Sequence, residues 1–339
     1  MKRMTALPIL TALALTTVSA WPSAAADPVN LTVYTSIDKE QLQPLKDAFE
    51  AANPGITISW FQDSAGIITA RYLAEKENPV ADAIYSLPVS SLVTFKKQGL
   101  LEAYTPAHAR DLKPRFQDAD EPASWTGMEV FTVAICVNTE ILSNEGLPPV
   151  KTWRDLLNPA FEKRVTMPNP ASSSTGFAAA WGWVQSMGEE KAWNYMADLD
   201  KNIAEYGHSG SAPCVQAGRG EYAIGISYDM RGAREKTLGA PLDIVIPEEG
   251  IGWDMDGAAI PQGTKHLEAA QKLMDFAAST QANKLYSKWL GIVADPAVTP
   301  VIPNYPEHVE ERLVTQDFGV MAEARDQFLV KWNEKFGNR

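Results

Sequence analysis

Over residues 30–87 the chain repeats one pattern: a short β-branched run, a helical period, then a stop. "NLTVYTSI" (30–37) alternates as a strand does. "KEQLQPLKDAFEAANPG" (39–55) carries an apolar helical stripe ended by Asn53-Pro54-Gly55, and "ITISWFQ" (56–62) is a strand again. A second helix is expected over 66–76, then the strand "ADAIYSL" and the helix "SSLVTFKKQGL" with glycine near its end. Strands separated by helices cannot pair as hairpins. They must run parallel, joined by right-handed crossovers, in a sheet covered by helices.

The alternation resumes with the strand "EVFTVAICVNT" (129–139), a capped helix "TWRDLLNPAF" and the strand "RVTMPNP". A helix over 177–187, a second helix "EKAWNYMADLDKNI", and the strands "EYAIGIS" and "LDIVIP" follow. Beyond Gly250 come the strand "GAAIPQG", helices "HLEAAQKLMDFAAST" and "QANKLYSKWLG", and a last helix over 315–335. No internal repeat or low-complexity linker interrupts this. The reading is α/β with two lobes, each a mostly parallel sheet flanked by helices. Crossovers near 125–137 and 245–258 put 27–128 and 252–305 in the first lobe, and 129–251, 306–339 and the C-terminal helix in the second. A ligand would sit in the cleft between them, where strand ends and helix N-termini point.

The first 26 residues read as an export signal. Lys2 and Arg3 precede an apolar stretch over 6–18, and Ala24-Ala25-Ala26 offers a small-residue cleavage site. No cysteine follows that could take a lipid, so a periplasmic product beginning near Asp27 is expected. The formal net charge of −12 becomes −14 once Lys2 and Arg3 leave, which argues against nucleic acid or an anionic membrane as partner. An anion would have to be held against that field by local dipoles and short hydrogen bonds. Cys136 and Cys214 are the only cysteines. An oxidising compartment invites one bridge between them, and the other reading is two buried thiols.

Hydroxyls gather where strands should hand over to helices. Thr35-Ser36 follows the first strand, and Asp63-Ser64-Ala65-Gly66 the second. Ser86 closes the third, with Ser90 and Ser91 beyond. In the second half the same style returns at "NPASSSTGF" (169–177) and at "HSGSAP" (208–213). One such turn is an ordinary cap, the role Ser172 would fill. Recurrence at several strand ends points instead to a cradle of helix N-termini and neutral donors for an anion.

Catalytic readings fare worse. "GHSGS" (207–211) is similar to a nucleophile elbow, but Ser211 stands where glycine is required, and only His266 and His308 lie downstream as bases. The four histidines show no paired spacing and the cysteines no zinc motif, so no metal or other cofactor is expected. Of the ten tryptophans, Trp181, Trp183 and Trp193 have core spacing, while Trp60, Trp125 and Trp253 fall near strand ends or crossovers. Acidic candidates near the same places are Asp63, Glu129, Asp229, Asp254 and Asp256.

With these segments in order, the chain resembles the periplasmic solute-binding proteins of ABC importers, in the branch that includes ferric-ion, phosphonate and polyamine binders. "MPNPASSSTGF", "YGHSGSAPC" and "EEGIGWDMDG" are similar to the subgroup that binds 2-aminoethylphosphonate. Where ferric binders of this branch carry histidine, glutamate and paired tyrosines, the sequence reads Ile37-Asp38, Ser86-Leu87 and Tyr228-Asp229-Met230, so the iron set is missing. The resemblance implies a phosphonate held by Thr35, Ser36, Ser64 and the Ala65 and Gly66 amides from one lobe. Ser173, Ser174 and Thr175 answer from the other, with Ser209 and Ser211 adding donors. For the ammonium end it implies Asp229 and Tyr228, then Glu129, with Trp125 or Trp253 as an aromatic wall. The implied product is a monomeric binding protein that delivers its ligand to an inner-membrane permease. Another small anion, a phosphate ester, a sulfonate or ferric ion, is the alternative, and a serine hydrolase at Ser209 the remote one.

Overall fold

The computed structural model describes residues 27–337; the export signal read over residues 1–26 lies outside the described residues. The repeated unit forms as β1 (Val29–Thr35), α1 (Lys39–Ala52), β2 (Ile56–Gln62), α2 (Ala65–Ala74), β3 (Ala83–Pro88) and α3 (Val89–Lys97). β1 lies parallel between β2 and β3, in register from Val29↔Ile56 to Thr35↔Gln62. α1 buries Leu45 and Phe49 against the sheet, the stripe its spacing dictates. β4 (Leu101–Glu102) is a short edge piece.

β5 (Thr126–Asn138) is buried at every position. α4 (Thr139–Glu145), β6 (Val165–Pro168), α5 (Ser174–Met187), α6 (Glu189–Leu199), β7 (Ile203–Gly207), α7 (Ala212–Gly218), β8 (Ile224–Tyr228), α8 (Asp229–Thr237) and β9 (Leu242–Val245) complete the second half. The chain then returns through β10 (Trp253–Pro261), α9 (Leu267–Ala278), α10 (Thr280–Tyr286) and β11 (Ile292–Val293) to α11 (Phe318–Phe336). The strands run in the order β2-β1-β3-β10-β5-β8-β6-β7, with β4, β9 and β11 beside that path. β5 joins the halves: Thr126 to Thr132 pair with β10, and Val133 to Asn138 with β8 and β9. Residues 246–252 are the second crossing. Each half has a parallel set flanked by the antiparallel crossover strands, as expected of two α/β lobes.

Three local readings differ from the sequence expectation. The "TWRDLLNPAF" helix breaks into two 3₁₀ turns, Arg154–Leu157 and Pro159–Phe161, because Pro159 has no N–H to continue the ladder. The helix expected to reach residue 203 ends at Leu199; residues 200–202 turn, and Ile203 opens β7, which runs parallel to β6. The cap of α5 is Ser173, whose Oγ accepts from the Gly176 amide (3.4 Å), while Ser172 turns its hydroxyl to the Asn169 and His208 carbonyls.

Cys136 on β5 and Cys214 in α7 are bridged, with Cα atoms 5.3 Å apart. Closing a loop over their separation of 78 residues stabilises the fold by about 4–5 kcal/mol on chain-entropy grounds. α11 touches both halves. Its start packs Phe318 edge-on against Trp253 and pairs Glu323 with Lys97 of α3; its later turns set Phe328 and Trp332 against Trp181, Trp193 and Tyr206. Trp181, Trp183 and Trp193 are core residues.

Candidate ligand-binding cleft

The ends of β1, β2, β3, β7 and β8 and the starts of α1, α2, α5 and α7 converge on one cavity of about 100 Å³. One wall is Ser36, Asp38, Gln62, Asp63, Ser64 and Ala65; the facing wall is Ser173, Ser174, Thr175, Ser209, Ser211 and Tyr228. Ser86, Glu129 and Asp256 also line it, and among the described residues no lysine, arginine or histidine does.

The hydroxyl end is built from helix starts. Ser174 and Thr175 occupy the first two positions of α5, where amides have no intrahelical acceptor. Gly176 is required there, since a Cβ would sit 2.4 Å from the Pro168 carbonyl. Ser209 and Ser211 share a hydrogen bond (3.1 Å) before α7. Across the cleft Ser36 Oγ donates to the Ser86 carbonyl (2.8 Å), and Ser64 Oγ to the His208 carbonyl (3.2 Å). These donors carry no net charge.

The other end is acidic. Glu129 is on β5, and its direct cross-strand neighbour on β10 is Asp256. The Ser86 Oγ lies 3.2 Å from Glu129 Oε1 and 3.3 Å from Asp256 Oδ2. The remaining oxygens, Glu129 Oε2 and Asp256 Oδ1, are buried and have no protein partner. Burial, then the charge of Asp256, holds the Glu129 carboxyl well above the usual range. Asp256 is pushed up to about 8 by burial, with the charges of Asp254 and Asp38 adding and the Ser86 hydroxyl pulling back. Ser86 itself sits at φ +55°, a left-handed conformation that costs a non-glycine residue on the order of 1–3 kcal/mol.

The walls touch each other. The Gly66 amide donates to the Ser172 carbonyl (3.0 Å), an approach a Cβ at Gly66 would block at 2.4 Å from the Ala171 oxygen. His208 Nε2 meets Asp63 Oδ1 at 3.0 Å. Asp38 at the start of α1 takes the Tyr228 hydroxyl and the Arg231 guanidinium from α8, and Arg231 also reaches Glu40 (3.4 Å). The cleft is in its closed geometry.

Of the residues singled out from sequence, Ser36, Ser64, Ala65, Glu129, Ser173, Ser174, Thr175, Ser209, Ser211 and Tyr228 line the cavity. Thr35 lies behind it, fully buried, its Oγ1 accepting from the Ile37 amide. Asp229 faces away: its carboxylate takes Thr132 Oγ1 (2.7 Å), the Tyr305 hydroxyl and the Met230 amide (2.7 Å). Trp253 donates to the Val314 carbonyl (2.8 Å), and Trp125 lines a separate crevice with Tyr104, so neither is a wall of the cleft. Asp254 is bound by Ser90 Oγ (2.5 Å) and the Met255 amide, out of reach of the cavity. Asp38 and Gln41 also line the cavity without having been proposed as ligand contacts, and Ser86 entered only among the strand-end hydroxyls. The sequence signal for Asp38 and Ser86 was their place at the ends of β1 and β3.

A family model described as bacterial extracellular solute-binding protein matches residues 78–318. A probable ABC transporter periplasmic-binding protein of Sinorhizobium fredii is 26% identical over 94% of this chain and 88% of its own. A Salmonella typhi periplasmic protein, named provisionally as binding 2-aminoethylphosphonate, is 22% identical over 89% and 88%. The periplasmic binding protein AfuA from Actinobacillus pleuropneumoniae, solved with fructose-6-phosphate bound, superposes with a TM-score of 0.84 at 29% identity, covering 91% of this chain and 98% of that one. Closed α/β lobes around a small polar cleft, together with a family match over most of the chain, place this protein among the bacterial extracellular solute-binding proteins.

Proposed function

We propose that the protein is the periplasmic capture component of an ABC importer and that its ligand is 2-aminoethylphosphonate. The observation that carries this is the polarity of the cavity: neutral donors and helix starts at one end, and at the other the buried Glu129 and half-buried Asp256, each with one buried carboxyl oxygen that has no protein partner. A zwitterion with an anion and a cation two carbons apart complements both ends. The small volume suits so short a molecule, since drug-sized ligands occupy roughly 300–1,000 Å³. The phosphonate belongs at Ser174, Thr175, Ser36 and Ser64, with Ser173, Ser209 and Ser211 around it. The ammonium belongs at Glu129 and Asp256, because Asp229 is committed to Thr132 and Tyr305. Lobes taken as 27–128 with 252–305, and 129–251 with the rest, would close on the ligand because each supplies part of its shell. A monomer that releases an unaltered ligand to a permease completes the reading.

A phosphorylated sugar is the second reading, favoured by the likeness to AfuA; the same carboxylates would then accept from sugar hydroxyls. Calorimetry with 2-aminoethylphosphonate, phosphate, methylphosphonate, taurine, fructose 6-phosphate and ferric citrate separates these. Tightest binding by the aminophosphonate is expected, and preference for the sugar phosphate or free phosphate would overturn the reading.

A further inference from the structure

Glu129 and Asp256 stand as direct neighbours on antiparallel strands, a position where like charges repel. Among the described residues the only protein donor to them in the cavity is the Ser86 hydroxyl, which both approach, at 3.2 and 3.3 Å. A hydroxyl has one proton to give. If it donates to one carboxylate, the other can hold its place at the same oxygen only by carrying a proton of its own and donating back. We propose that in the ligand-free cleft Glu129 and Asp256 hold one proton between them through Ser86, and that a ligand's ammonium group replaces it. Capture of an amine-bearing ligand then releases one proton to solvent: a carboxylic acid, a carboxylate and R–NH₃⁺ become two carboxylates around R–NH₃⁺, with the charge in the pocket conserved. This rests on placing the ligand's amine at that end of the cleft.

The surroundings support a single shared proton. From β10 and α1 the charges that act on the pair are those of Asp254, whose carboxylate is held outside the cavity by Ser90, and Asp38, already engaged by Arg231 and Tyr228. From β3 and α10 come the phenols of Tyr85 and Tyr286, bonded to each other and neutral. β11 pairs with β5 beside Glu129 and contributes only Ile292 and Val293. Among the described residues no cationic side chain lines the cavity to neutralise a second negative charge. Burial accordingly keeps both carboxyls above their ordinary range. A neutral hydroxyl in the same place would bring no charge and displace no proton, so the pair discriminates an ammonium from a hydroxyl by charge exchange.

Two measurements on the mature chain test this separately from the ligand assignment. In ¹³C-carboxyl NMR of the ligand-free protein at pH 7, one carboxyl of the pair should read as protonated, and Asp256→Asn or Glu129→Gln should abolish that signature. Two ionised carboxyls in the wild-type protein would overturn the proposal whatever the ligand is. In calorimetry of 2-aminoethylphosphonate at pH 7.5 in Tris and in HEPES, buffers of different ionisation heat, the difference should report close to one proton released, falling toward zero in Glu129→Gln. Binding with no proton release, or release unchanged in Glu129→Gln, would refute the exchange while leaving the aminophosphonate reading standing. Failure of 2-aminoethylphosphonate to bind in either buffer would sink that reading instead, and the NMR result would then decide the proton alone.

Discussion

The two ends of the cleft solve opposite problems. At the hydroxyl end, the polar groups are mostly satisfied within the protein: Ser36, Ser64, Ser173, Ser209 and Ser211 all have partners. At the acidic end, two buried carboxyl oxygens have none. An unpaired buried polar group costs on the order of 1–3 kcal/mol, more when charged. The acidic end is therefore destabilised without ligand, and the hydroxyl end is built to be stable without one. On the proposed reading, affinity for an anion against a chain of net charge −12 would come from preorganised dipoles, and selectivity for the other end of the ligand from relieving a local penalty.

That contrast can be broken from either side. The largest effect is expected from Ser174→Ala with Thr175→Ala, which removes two hydroxyls facing the anion without touching the cap at Ser173. At 1.5–3 kcal/mol for each hydrogen bond to a charged group, phosphonate affinity should fall by about a hundredfold or more, while circular dichroism melts stay close to wild type. Next, Glu129→Gln should weaken 2-aminoethylphosphonate by about ten- to a hundredfold and leave an amine-free alkylphosphonate nearly unchanged in a competition assay. Equal loss for both ligands would remove the division between the two ends. Asp229→Asn should instead lower stability by about 1–3 kcal/mol, seen as an earlier urea midpoint, with no preference between those two ligands.

The acidic end also predicts a pH dependence. Burial pushes Asp256 up to about 8 from an ordinary value of 3.8, so the Glu129–Asp256 pair retains a proton in the folded protein above the usual carboxylate range. The folded state therefore binds more protons than the unfolded chain between those limits, and stability falls as pH rises through them. Wild type measured against Asp256→Asn should lose about 1.4 kcal/mol per pH unit from pH 5 to 7, read by denaturant melts without ligand. The smallest effect belongs to the rim. The His208–Asp63 pair is exposed on both sides, so His208→Ala should change affinity by no more than about fivefold.

Much of the hydroxyl end was legible because it follows rules local in sequence. A strand, a stop and a Ser- or Gly-rich turn before a helical period locate Ser64, Ser173 and Thr175 without tertiary knowledge. At the acidic end Glu129 and Asp256 were each visible as acids near strand ends, but their meeting with one another and with Ser86 was not, because the three come from β3, β5 and β10 and depend on the Asp256↔Glu129 register. Asp229 was attractive at the end of β8, yet one residue decides which way it points: Tyr228 faces the cleft, and Asp229 opens α8 turned toward Thr132. Trp253 misled similarly, since its indole is anchored to Val314 from the C-terminal segment. β7 escaped notice because five residues after a helix carry too little pattern to separate a strand from a fraying end.

In the proposed binding mode one ligand spans both ends, anion at the start of α5 and cation at the β5–β10 carboxylates. A crystal structure of the complex with 2-aminoethylphosphonate tests it most directly. The account predicts phosphonate oxygens within hydrogen-bond distance of Ser174 and Thr175, and the amine nitrogen between Glu129 and Asp256 with Asp229 still on Thr132. A phosphonate elsewhere, or an amine held by Asp229 with Glu129 and Asp256 left unpaired, would contradict it.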